Sequence, residues 1–253
     1  MTPDDLALLI GIGVIAGAWN AVAGGATLFS FPALMAVGLP PVVANATNFV
    51  GVFPANLAAL PAYRRELRVL APALWRLTFL SSAGAAVGSA LLLVSDPALF
   101  RALIPYLLLA ATLLFAFGDR VRAVMVRALG TEGQHRAVYA LVFFTSIYGG
   151  YFGAGLSIVL LALAQILGYR DFHLANALKN FVSTAFTLIS IIIVGLGGLI
   201  AWPAALAMMA GAMAGGFLGA VYVRRVNQRL LRIAVTCFGF VLSALYLVGS
   251  LGL

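Results

Sequence analysis

Apolar runs near the length of a membrane span recur from one end of this 253-residue chain to the other. They fall at about residues 6–23, 26–37, 42–61, 72–94, 98–117, 137–153, 156–168, 173–198, 203–223 and 232–250. Inside a bilayer no water is present to pair backbone N–H and C=O groups, so such runs must be helices or the strands of a closed barrel. Barrel strands are short and alternate in polarity, and these runs do neither. The expectation is an all-α, polytopic membrane protein whose environment is the lipid bilayer. Composition agrees, with 64% hydrophobic and 9% charged residues against roughly half and a quarter in soluble domains. The connecting segments are too short to hold a catalytic core, so the expected class is not an enzyme.

The net charge of +8 invites a nucleic-acid partner, but the arginines cluster between the apolar runs and read as topology signals instead. Cys237 is the single cysteine, so neither an intrachain disulfide nor a cysteine-based metal site can form. No metal and no cofactor are expected. The start, "MTPDDLALLIGIGVIAGA", lacks the positive n-region of a signal peptide and reads as a first membrane helix.

Two of the runs, 26–37 and 156–168, are too short to cross about 30 Å at 1.5 Å per residue. Each follows a glycine-rich joint, "AGGA" at Ala23–Ala26 and "GGYFGAG" at Gly149–Gly155. The two belong to an internal repeat. Gly25 and Gly155 are 130 positions apart, as are Thr27 and Ser157, and Gly38 and Gly168. Ala44–Asn45–Ala46 then matches Ala175–Asn176–Ala177 at 131, and Asn48–Phe49–Val50 matches Asn180–Phe181–Val182 at 132. Gly84-x-x-x-Gly88 corresponds to Gly211-x-x-x-Gly215, and both read as packing motifs. The chain divides into repeats at 1–127 and 128–253, each of about five helical segments with one short or broken.

Arginine placement orients these halves. Arg64, Arg65 and Arg68, then Arg120, Arg122, Arg127 and Arg136, then Arg224, Arg225 and Arg229, mark three cytoplasmic loops. The Asp4–Asp5 start, the loops near Asp96 and Pro203, and both termini are arginine-poor and are expected outside. The first half then runs from outside to inside and the second from inside to outside. The repeats are inverted, an arrangement common to secondary transporters.

Polar residues within the runs define the candidate site. The short segments begin just after Gly24, Gly25 and Gly155, around Thr27 and Ser157. A helix N-terminus at mid-membrane is a positive dipole end suited to an anion. The polar clusters Asn45, Thr47, Asn48 and Asn176, Lys179, Asn180 share helix faces. Their amides could instead bond a neighbouring helix. A lysine at mid-span costs about 2.5–3.5 kcal/mol on insertion scales, unless it snorkels toward the Arg170–Asp171–His173 turn. The seven acidic residues lie at a terminus or an inferred loop, so the usual intramembrane carboxylate of cation-coupled carriers is missing. An anion leaving a negative-inside cell runs downhill and needs no such group, which favours efflux. Trp75 and Trp202 read as interfacial anchors, and Trp19 and Asn20 abut the first joint.

The stretches "AGGATLFSFPALMAVGLPPVVANATNF" and "FGAGLSIVLLALAQILGYRDFHLANALKNF", with the duplicated layout, resemble the TauE/SafE family of sulfite exporters, also called the TSUP family. The resemblance spans the whole chain. It implies export, or in some members uptake, of sulfite or a small organosulfonate anion such as sulfoacetate across the bacterial inner membrane. By position it also implies that Asn45, Thr47, Asn48, Asn176, Lys179 and Asn180 contact the substrate. An anion channel is the alternative.

Overall fold

The computed structural model describes residues 1–22, 25–58, 60–129, 135–169, 171–222 and 228–250. Among them the chain is helical, with no strand. The helices are α1 (Pro3–Val22), α2 (Thr27–Ala36), α3 (Pro41–Leu57), α4 (Arg64–Val94), α5 (Pro97–Leu129), α6 (His135–Tyr151), α7 (Leu156–Ile166), α8 (Phe172–Leu196), α9 (Trp202–Tyr222) and α10 (Gln228–Ser250). A 3-10 turn at Leu60–Tyr63 leads into α4. Among the described residues three stretches, Leu74–Val94, Pro97–Leu114 and His173–Leu196, are long and apolar enough to cross a membrane.

Helix ends follow local chemistry. Asp171 accepts from the N–H groups of His173 and Leu174, both at 2.9 Å, and so caps α8. Asp96 does the same for Ala98 and Leu99 at the start of α5. Thr2 and Asp5 bond each other's N–H groups across the first turn of α1. Acidic side chains thus answer orphan N–H groups at helix starts. Asp119 is a correction: it lies with Arg120, Arg122 and Arg127 inside α5, not in a loop. Alanine, arginine and methionine hold the helical ladder beyond the apolar run without needing lipid contact.

α2 and α7 end alike. Gly38 and Gly168 follow them with φ of 87° and 91°, and the next N–H reaches back from Leu39 to Leu34 and from Tyr169 to Ala164. This closure satisfies the last carbonyls and turns the chain sharply.

Packing interleaves the two halves. α1 packs on α9 and α6 on α4; α3 packs on α9 and α8 on α4. α5 pairs with α10, and α3 meets α8. Exchanging α1–α5 with α6–α10 maps this set of contacts onto itself. The GxxxG glycines make the close approaches: Gly84 and Gly88 lie against the backbone of Phe143 and Ile147, and Gly211 and Gly215 against that of Ile10 and Val14. A side chain at any of the four would collide with main chain, so small residues are what let these helices touch.

These contacts also give direction. Gly13 abuts Met208 and Gly17 abuts Ala212, so α1 and α9 run parallel. Thr47 meets Ala201 and Gly51 meets Met208, so α3 runs with them. Gly84 at Phe143 and Gly88 at Ile147 make α4 and α6 parallel. Gly197, just past α8, touches Leu93 near the end of α4, and α9 starts five residues further on. The end of α4 therefore lies at the start of α9, and the two run in opposite directions.

Large apolar side chains such as Phe79, Phe144 and Phe217 are exposed on the outside of the bundle. Such a surface suits contact with lipid. Trp75 and Trp202 are exposed as well, whereas Trp19 is buried in the core beside Phe29.

Candidate functional site

The two short helices begin at one place. Gly25, with φ of 93°, precedes α2, and Gly153 and Gly155, both at 77°, precede α7. These left-handed conformations suit glycine and allow each chain to reverse within a few residues. Neither helix start receives a side-chain cap. Both open onto a single cleft with a cavity volume of about 50 Å³.

The cleft has polar and apolar sides. Thr27 and Ser157 stand at the two helix starts, and Ser183 and Thr187 face it from α8. Asn20 and Asn56 line it as a pair, the Asn20 amide donating to Asn56 Oδ1 at 3.1 Å. Phe49, Phe152 and Phe186 form an apolar wall. Ser183 and Thr187 are 5% and 4% exposed. Among the described residues neither hydroxyl has a hydrogen-bond partner, while neighbouring Thr184 bonds back to the Asn180 carbonyl. Two almost buried hydroxyls are thus left free at the cleft. No charged side chain is among the described lining residues.

Of the residues singled out in the sequence, Gly25, Thr27, Gly155 and Ser157 are brought together here. Gly24 lies outside the described residues. Asn48 sits behind the lining: its amide donates to Thr27 Oγ1 at 3.3 Å and its carbonyl accepts from Ser30 Oγ. Asn45 is fully buried and donates to the Tyr151 carbonyl at 2.8 Å, its own Oδ1 unpaired among the described residues. Thr47 Oγ1 accepts from the N–H of Ala201 at 3.0 Å. Lys179 and Asn180 are buried and Asn176 half-buried on α8, none of them among the lining residues. Lys179, Ser183 and Thr187 recur every four residues, so the lysine stands on the same face one turn from the cleft. It is 5% exposed, and no described hydrogen bond or ion pair reaches it.

Sequence reasoning missed Asn56, Thr187 and the three phenyl rings. The helical period held a signal for two of them: Asn56 continues the Asn45–Asn48 face of α3, and Thr187 continues that of Lys179 and Ser183. The phenylalanines carried none, because apolar residues fill every span.

The family described as "Sulfite exporter TauE/SafE" matches residues 9–247. A "Probable membrane transporter protein" of Haemophilus influenzae is 33% identical over 250 residues, 95% of this chain and 94% of that protein. The "Probable membrane transporter protein YfcA" of Escherichia coli (strain K12) is 26% identical over 260 residues, covering 100% of this chain and 93% of its own length. The "Probable membrane transporter protein ORF9" of a Sinorhizobium species is 26% identical over 235 residues, 90% of this chain and 86% of that protein. No solved structure matches the chain.

Proposed function

This chain belongs to the TauE/SafE sulfite exporter family, and on that premise we propose that it is a secondary transporter exporting sulfite or a small organosulfonate anion. The carrying observation is the convergence of the α2 and α7 starts on one cleft. Two helix N-termini without side-chain caps bring their positive dipole ends to the same space, which suits an anionic oxygen cluster. Thr27, Ser157, Ser183 and Thr187 add hydroxyl donors. Gly25 and Gly155 let the backbone approach the anion. Asn48 holds Thr27 in place from behind. Lys179, with Asn176 and Asn180 on the same helix, is read as a station that the anion meets before or after the cleft.

Alternating access is the mechanism this reading favours. The exchangeable packing of α1–α5 with α6–α10, and the opposed directions of α4 and α9, support two inverted repeats divided near residue 127. The cleft lies between helices of both repeats, where rocking one bundle against the other would expose it to each side in turn. The reading places the protein in the inner membrane with both termini outside.

The test is flux in proteoliposomes loaded with sulfite or sulfoacetate. Saturable efflux that is accelerated by the same anion on the far side supports a carrier. Non-saturating flux that follows voltage alone would make it a channel, and the absence of flux for every sulfur oxyanion would remove the substrate assignment.

A further inference from the structure

We propose that the cleft is reached from outside along the seam between α3 and α8, and that this outer leg, lined by Asn45 and Ser190, is shut in this structure. The inference rests on the reading of the cleft as the anion site and adds the residues past which the anion leaves it.

Two helix faces carry the argument. On α3 the cleft is lined by Phe49, Val52 and Asn56, and Asn45 stands one turn before Phe49 on the same face. On α8 it is lined by Ser183, Phe186 and Thr187. Lys179 precedes Ser183 by one turn and Ser190 follows Phe186 by one turn, again on that face. The two helices run in opposite directions. α8 ends at Leu196, and Ala201, shortly after it, bonds Thr47 near the start of α3. Asn45 and Ser190 therefore lie beyond one end of the cleft, with Asn56 and Lys179 toward the other. In the proposed topology the Asn45 end faces out and the Asn56 end faces the cytoplasm.

The two ends differ. Asn45 and Ser190 are fully buried, as is Val194 one turn further out, whereas Asn56 is only half-buried. At the outer end every member of the α3 cluster is tied to another segment. Asn45 donates to the Tyr151 carbonyl, Thr47 accepts from the Ala201 N–H, and Asn48 donates to Thr27. Lys179 and Asn180, which match Thr47 and Asn48 in the repeat at 132 positions, make no described side-chain hydrogen bond. Repeat mates bonded so differently mark one of two states, shut on the bonded side.

The shut leg also carries polar atoms that a permanent seal would not need. Asn45 Oδ1 and Ser190 Oγ have no hydrogen-bond partner among the described residues. An unpaired buried polar atom opposes the packed state, and an apolar side chain there would not. Parting Asn45 from the Tyr151 carbonyl lets water reach both atoms and frees the amide to meet a passing anion.

Single cysteines in a Cys237→Ser background read the two ends. Ser190→Cys is treated with a membrane-impermeant methanethiosulfonate on intact cells stripped of their outer membrane, and Asn56→Cys on inverted vesicles. Each is measured with Asn45 present and with Asn45→Ala. Asn45→Ala should speed labelling of Ser190→Cys by about fivefold, the weight of one net hydrogen bond on a two-state equilibrium. Labelling of Asn56→Cys should not rise. Ser89→Cys, fully buried between α4 and α6, should stay unreactive throughout. Ser190→Leu should stop methanesulfonate flux in proteoliposomes while its affinity stays within about twofold of wild type, and thermal melts confirm that the variants fold. A Ser190→Cys rate indifferent to Asn45→Ala, equal acceleration at Ser89→Cys, or full flux through Ser190→Leu overturns the outer leg and leaves the anion in the cleft. Absence of sulfonate binding to wild type overturns the cleft as the anion site instead, and the labelling then still decides whether the seam opens.

Discussion

Asn48 and Thr27, on adjacent helices α3 and α2, are joined side chain to side chain: the Asn48 amide donates to Thr27 Oγ1 at 3.3 Å. The Asn48 carbonyl accepts from Ser30 Oγ one turn further along α2. One amide thus fixes the first turn of the short helix whose N-terminus opens on the cleft. Asn48→Leu removes both bonds; Ser30 keeps the Ala26 carbonyl as its acceptor at 2.9 Å, while the buried Thr27 hydroxyl loses its donor, at a cost of about 1–3 kcal/mol. The expected outcome is a lower unfolding midpoint in detergent together with weaker sulfonate binding. Loss of stability with unchanged binding would show that the start of α2 takes no part in the site.

Thr47 separates stability from binding in the opposite way. Its hydroxyl accepts from the N–H of Ala201, 154 positions away, just before α9 begins. Thr47→Val keeps the shape and removes the acceptor, so the expected loss is about 1–3 kcal/mol of stability. Sulfonate affinity should stay within about twofold of wild type, a difference of less than 0.5 kcal/mol. A selective loss of affinity, with the unfolding midpoint unchanged, would place Thr47 in contact with the anion instead.

Gly88 and Gly215 test the interleaved packing. A Cβ at Gly88 would collide with the backbone of Ile147, and one at Gly215 with that of Val14. Gly88→Ala and Gly215→Ala should each destabilise by about 1–3 kcal/mol or more, since main chain cannot yield as a flexible side chain does. Gly11→Ala, with nothing within 4 Å, should be neutral or slightly stabilising through higher helix propensity. Thermal unfolding of the three variants side by side is the measurement. Equal effects at all three would contradict the α1–α9 and α4–α6 contacts.

The parts of this fold that are legible in the sequence are those set by local rules. Helix positions follow from apolar length, so runs 26–37 and 156–168 appear as α2 and α7 with bounds shifted by one or two residues. Gly38 and Gly168 announce the sharp turns after them, because the left-handed conformation there suits glycine. The convergence of Thr27 and Ser157 was legible only because the repeat paired them. The roles of Asn45, Thr47 and Asn48 were not, since an amide or hydroxyl looks the same whether it faces a ligand or a neighbouring helix. Only the partner decides, and Tyr151, Ala201 and Thr27 are distant in sequence or on another helix. Asn56 and Thr187 were hidden for the converse reason. Asn56 is a single polar residue in an apolar run and Thr187 one of several small hydroxyls on α8, and the helical face each continues becomes meaningful once the cleft is seen.

Orientation can be read with single cysteines in a Cys237→Ser background, which leaves no native thiol. Asp4 and Leu99 are exposed near the starts of α1 and α5, and Val124 is exposed near the end of α5. Asp4→Cys and Leu99→Cys should react with a membrane-impermeant maleimide on intact cells from which the outer membrane has been stripped. Val124→Cys should react only after permeabilisation, because the arginine-rich end of α5 belongs on the cytoplasmic side. The reverse pattern would invert the proposed topology, and labelling of all three in intact cells would rule out α5 as a span.

Lys179 makes the sharpest contrast between structural and functional roles. It is 5% exposed, with no described hydrogen bond or ion pair, and it lies within a stretch apolar enough to cross the membrane. A side chain kept only for stability should not be of this kind, because an unpaired charge at depth opposes folding. Replacing a buried ionic group with an apolar one of similar volume is often stabilising, by about 1–4 kcal/mol. Lys179→Met should therefore raise the unfolding midpoint while slowing sulfonate flux in proteoliposomes by about tenfold or more, the effect of about 1.4 kcal/mol on a barrier. Affinity at the cleft, which the lysine does not line, should change much less than the rate. Lys179→Arg, which keeps the charge, should recover part of the flux. If Lys179→Met instead destabilises the protein and leaves flux intact, the lysine serves packing or snorkels to the membrane surface, and the anion passes without it.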